Sequence, residues 1–99
     1  MATVGDLILA YQVNVANLGY CDIQPAASHE IAIHNIYYED DITVEWYDGT
    51  NSLVFGTYYG VGCLAFYDFE CTNTYRIRVR NVGGEAHDIG YSGRYLKVA

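Results

Sequence analysis

Apolar side chains recur along this chain with a period of two, in short runs separated by Gly, Asn and Asp. Leu7 to Val15 is a first strand, in which Leu7, Leu9, Tyr11, Val13 and Val15 alternate with Ile8, Ala10, Gln12 and Asn14. Asn17-Leu18-Gly19 reads as a turn, and Tyr20 to Gln24 as a short strand ended by Pro25. His29 to Tyr38 places Ile31, Ile33, Asn35 and Tyr37 on one face and Glu30, Ala32, His34 and Ile36 on the other. Ile42 to Tyr47 turns Ile42, Val44 and Trp46 inward and Thr43, Glu45 and Tyr47 outward, so Trp46 is expected to be buried. Asp48-Gly49-Thr50-Asn51-Ser52 is the clearest hairpin turn, and Leu53 to Tyr59 returns from it, broken at Gly56. Gly60-Val61-Gly62 is a second turn. A strand from Leu64 to Cys71 follows, then one from Thr74 to Val82. Ile89 to Tyr91 and Arg94 to Val98 complete the chain, with Ser92-Gly93 as a bend or bulge.

No stretch has helical periodicity. About eight short strands with Gly, Asn and Asp turns predict a single all-β domain over residues 1–99, an antiparallel β-sandwich with a small β-barrel as the alternative. Residues 1–28 are the segment expected to be least integrated. Eleven Tyr, three Phe and one Trp suit a half-buried sheet and exclude a disordered chain. No apolar run is long enough for a transmembrane helix. The start, Met1 to Asp6, has no basic region followed by an apolar stretch, so no secretory signal is expected. Cys21, Cys63 and Cys71 are odd in number and irregular in spacing, which predicts three free thiols and a reducing compartment.

Charge changes the picture. The first 75 residues carry ten carboxylates and no Lys or Arg, a formal −10; the last 24 carry all five cations against two carboxylates, for a chain total of −7. Arg76, Arg78 and Arg80 alternate with Tyr75, Ile77 and Val79, so the three guanidinium groups share the sheet face away from the core. One reading is a face paired with neighbouring carboxylates, Glu45 being the natural cross-strand partner. Exposed pairs contribute little each, so replacing all three arginines with Gln should then cost only ~1–2 kcal/mol. The other reading is an interface, where Arg is enriched. A net acidic chain without exposed aromatics interleaved among its cations is not expected to bind nucleic acid.

The remaining candidate chemistry is weak. His29, His34 and His87 have no zinc spacing, and Glu39-Asp40-Asp41 with Asp48 lacks the spaced ligands of a calcium loop. Asp68 and Glu70 share a strand face, as many surface pairs do. No Ser sits in a nucleophile elbow, and Gly60-Val61-Gly62 opens no helix. No catalytic residue, metal or cofactor is expected. Adjacent pairs Tyr37-Tyr38 and Tyr58-Tyr59 each force one ring outward, and Tyr67 adds to the count. Together with the stripe they make Arg76, Arg78, Arg80, Tyr38, Tyr47 and Tyr59 the expected contact residues.

Ile33-His34-Asn35-Ile36-Tyr37-Tyr38-Glu39-Asp40-Asp41 followed by Val44-Glu45-Trp46-Tyr47-Asp48-Gly49-Thr50-Asn51 resembles small structural proteins of tailed bacteriophages. So does Cys71 to Asn81 with the later Ile89-Gly90-Tyr91-Ser92-Gly93. The resemblance covers roughly residues 29–95 and carries strand and turn patterns rather than binding residues. It implies an all-β decoration or minor capsid protein, made in the host cytoplasm and carried in the virion. Its partners would be the major capsid protein and copies of itself, commonly as a trimer, with no membrane. The alternatives from other classes are a carbohydrate- or receptor-binding module and a small inhibitor or adaptor.

Overall fold

A computed structural model describes residues 3–65 and 68–98, with backbone alone for residues 10–13. Its strands are β1 (Leu7–Val15), β2 (Tyr20–Ile23), β3 (Glu30–Tyr38), β4 (Ile42–Tyr47), β5 (Ser52–Tyr58), β6 (Gly62–Leu64), β7 (Phe69–Thr72), β8 (Arg76–Asn81) and β9 (His87–Lys97). They form two antiparallel sheets, as the alternation predicts. One runs β1-β9-β3-β6, with β7 also on β3; the other runs β2-β8-β4-β5. Ile23, Ile33, Ile36, Ile42, Val44, Ile77, Val79 and Ile89 from both sheets fill the space between them. Cys21 and Cys71 pack there as small apolar groups, and all three cysteines are free.

Three departures from strict alternation decide which side chains reach solvent. The first is in β3. Ile33 pairs with Gly93 and Asn35 with Ser92, so His34 is an extra residue opposite the Ser92–Gly93 step. One extra residue moves every later side chain to the other face. Ile31 and Ile33 therefore point inward, but so do Ile36 and Tyr38, while Tyr37 turns out. The bend expected at Ser92–Gly93 is thus carried by β3; β9 runs as one strand from His87 to Lys97, with a bulge of its own at Leu96. Gly93 is essential to this crossing: a Cβ there would lie 1.9 Å from the Ala32 carbonyl oxygen.

The second departure is in β5. Val44 pairs with Gly56 and Glu45 with Val54, leaving Phe55 as the bulged residue. Phe55 stacks against Trp46 of β4 and Phe69 of β7, with ring centroids 6.0 and 5.7 Å away, and Trp46 meets Phe69 at 6.1 Å. This aromatic triangle joins the two sheets at one end. Trp46 packs on the core by one side from its inward position but is only half-buried, short of the burial expected of it.

The third is the strand expected from Leu64 to Cys71. It is two strands lying end to end along the same edge of β3. Leu64 pairs with Ile36 and Phe69 with Ile33, so five steps on one side span three on the other. The chain from Leu64 to Phe69 is therefore two residues longer than the β3 segment it passes. Phe66 and Tyr67 fall in this connection, outside the described residues, as do the Tyr11 and Val13 side chains of the first strand.

Candidate functional site

The outer face of the four-stranded sheet carries the arginine stripe. β8 lies between β2 and β4, so each arginine has an acidic or aromatic cross-strand neighbour on at least one side. Arg80 faces Tyr20, Arg78 faces Asp22 and Glu45, and Arg76 faces Tyr47. Arg76 donates from Nε and Nη2 to both Asp22 oxygens, at 2.8 and 3.2 Å, and from Nη1 to the Asn73 and Thr74 carbonyls. This fork is the strong form of the pair, and the Asp22 bond raises the Arg76 pKa further. Arg78 donates from Nη2 to Glu45 Oε2 at 2.9 Å, and its guanidinium carbon lies 3.9 Å from the Tyr20 ring centroid and 3.6 Å from that of Tyr47. Arg80 has no carboxylate at ion-pair distance among the described residues; its Nε donates to the Leu18 carbonyl.

The expectation of exposed, low-value pairs does not survive this geometry. Glu45 is only 2% exposed although its strand position points outward, because Arg78 and the flanking rings cover it. The stripe is a stacked layer of rings and guanidinium groups laid over the sheet. Of the other predicted contact residues, Tyr47 belongs to this layer and its hydroxyl donates to the Gly49 carbonyl. Tyr59 is exposed on the turn after β5. Tyr38 is 9% exposed and packed in the core, placed there by the His34 bulge, so it offers little surface.

The five-stranded sheet presents a different face. Leu7 and Leu9 point to solvent while Ile8 packs on the core. Leu9 (74% exposed), Tyr37 and Val61 (80% exposed) line a groove of about 490 Å³ whose floor is opened by Gly62 and Gly90. Glu39 and Asp88 line it too. Tyr37 is fixed by a 3.1 Å hydrogen bond between its hydroxyl and Ser92 Oγ.

A second concavity, of about 340 Å³, opens at the end of the four-stranded sheet between Trp46, Tyr47, Asp48, Asn51, Ser52, Leu53 and Tyr75. Tyr75 was expected on the core face with Ile77 and Val79. It lies instead before the start of β8, 65% exposed. Thr72 explains this: its Oγ1 accepts from Tyr75 N at 2.9 Å and Thr74 N at 3.3 Å, and its own N–H donates to the Tyr75 carbonyl at 2.7 Å. The sequence reading missed both concavities. The leucines on one face of β1 signalled the first, and Thr72-Asn73-Thr74 ahead of Tyr75 signalled the second.

Among the described residues no three His, Cys, Asp or Glu side chains gather in a metal-binding group. No protein-family model and no curated protein sequence matches the chain.

Proposed function

We propose that this protein is a non-catalytic structural component that binds an assembled protein shell, in the manner of a phage decoration or minor capsid protein. The observation that supports this reading is the outer face of the five-stranded sheet. A sheet face left to water alternates polar residues with the buried ones. Here Leu7, Leu9, Tyr37 and Val61 are exposed together, and contiguous exposed apolar surface marks a contact site. The partner would be the major capsid protein or a second copy of this chain, in a virion built in the host cytoplasm. Glu39 and Asp88 also line the groove, Glu39 Oε1 accepting from Asp88 N and Asp88 Oδ1 from Asn14 N, and their charge favours a partner that brings cations.

The test is co-sedimentation with shells assembled from the capsid protein encoded alongside this chain. The unmodified protein should pellet with them. Leu9→Asp, at an exposed position, should keep its circular dichroism and stay in the supernatant. An unmodified chain that remains in the supernatant with intact shells overturns the reading.

A further inference from the structure

We infer that the cleft between Tyr75 and the Asp48–Asn51 turn is a binding subsite for a neutral hexopyranose. This goes beyond shell binding, and the cleft shares no residue with the apolar groove.

Both walls of the cleft are held in place before any ligand arrives. On one side the Thr72 bonds fix the Tyr75 backbone and present its ring to solvent. On the other, Asp48 Oδ1 accepts from Thr50 N at 2.9 Å and Asn51 N at 2.6 Å, with Gly49 at φ 96° in the turn. Asp48 N donates to the Asn51 carbonyl at 3.2 Å. Trp46 and Leu53 form the apolar part between them. The volume, about 340 Å³, falls in the range of small-ligand clefts, roughly 300–1,000 Å³.

The chemistry of the lining selects the ligand. A pyranose has an apolar C–H face and a rim of hydroxyl donors. Tyr75 and Trp46 offer aromatic surface to the face. Asp48 offers acceptors to the rim: its pKa is held below the usual value by the Asn51 and Thr50 amides, so it stays charged across neutral pH. A carboxylate has about four acceptor sites; the Thr50 and Asn51 amides bond Oδ1 and the Asn51 side chain also hydrogen-bonds the carboxylate, which leaves room for a ligand hydroxyl. The Ser52 hydroxyl and Asn51 amide lie beside it. An acidic sugar would be repelled by Asp48. A proline-rich peptide, the other common occupant of aromatic clefts, brings carbonyl acceptors and few donors. It would leave the Asp48 carboxylate without a donor from the ligand, and the Tyr47 hydroxyl is already committed to the Gly49 carbonyl.

Trp46 is the sole tryptophan and lines the cleft, so its fluorescence reports occupancy. Cellohexaose, maltohexaose and mannohexaose are titrated separately to about 10 mM, enough to detect millimolar affinity, about −4 kcal/mol. At least one should give a saturable change in emission. Tyr75→Ala and Asp48→Asn should each weaken binding at least tenfold, whereas Tyr59→Ser, exposed and outside the cleft, should not change it. No saturable change with any of the three sugars overturns the inference. So does a change that persists in Tyr75→Ala, or saturation by a decaproline peptide in place of the sugars. None of these outcomes bears on co-sedimentation with shells.

Discussion

Replacing Arg78 with Met tests whether the stripe is a structural layer. The substitution removes the charge and keeps a stem of comparable reach. It leaves the Glu45 carboxylate, whose side chain is 3% exposed, without its cation. Breaking a buried pair from one side costs ~3–5 kcal/mol. Two ring contacts, at 3.9 and 3.6 Å, are also lost, at roughly 0.5–1 kcal/mol each. The methionine sulfur recovers part of that against the same rings. Arg78 is itself 17% exposed, so water reaches one side of the pair and the lower end of the range applies. The expected loss is ~3–4 kcal/mol, a large share of the ~5–15 kcal/mol that holds a domain together. For a chain of this size it corresponds to a fall in Tm on the order of 15–30 °C. Urea denaturation of the wild type, Arg78→Met, Glu45→Met and the double variant completes a cycle. The double variant should recover ~2 kcal/mol relative to the sum of the singles, because no charge is then stranded. A single-variant loss below ~1 kcal/mol with no coupling, the range of an exposed pair, would refute the reasoning.

Gly93→Ala should be among the most damaging single changes, at ~3 kcal/mol or more, since the new methyl meets the Ala32 backbone and not a side chain that could move; a urea midpoint unchanged from wild type would contradict the bulge geometry. Thiol titration of the native protein near pH 8 should modify exposed Cys63 quickly and Cys21 and Cys71 only after unfolding, because burial raises both of the latter to about 11. The same two thiols make stability fall as pH rises from their ordinary value of 9.0 to about 11, where the unfolded chain releases protons that the folded one retains; Tm measured across that window should drop, and a flat profile would count against their burial. Trp46→Ala should cost ~3–4 kcal/mol through loss of the contacts with Phe55 and Phe69, read from thermal unfolding.

The fold was legible because β-strands announce themselves through period two and Asp, Asn and Gly turns. β1 and β4 match their expected spans, and the Asp48–Asn51 turn is where Asp-Gly placed it. What the pattern did not carry is the set of extra residues. His34 and Phe55 interrupt alternation without any Gly or Pro at the position itself, and the reason for each lies on the partner strand, with Gly93 across from one and Val44–Glu45 across from the other. Faces inferred beyond such a point are inverted, which is why Tyr38 was expected outside and lies in the core. The Glu45–Arg78 pair was legible as a cross-strand neighbour, but its burial was not. That depends on rings from β2 and β4 folding over β8, a non-local packing that no single strand encodes. The Tyr75 cleft was hidden for a related reason: a side-chain hydrogen bond to backbone at Thr72 outranked the strand pattern that follows it.

The placement of β8 and β9 each between two earlier strands has a consequence for synthesis. β1 joins its sheet only through β9, and β2 joins its own only through β8. The four-stranded sheet therefore cannot close before β8 is made, nor the five-stranded sheet before β9. Until Arg76 is made, residues 1–75 carry ten carboxylates and no Lys or Arg. Self-repulsion of that charge keeps β-rich segments apart while their partners are missing. Arg76 and Arg78 then arrive inside the strand that meets Asp22 on one side and Glu45 on the other. The uneven distribution of charge thus places three of the cations in a strand whose two neighbours, β2 and β4, are both made before it.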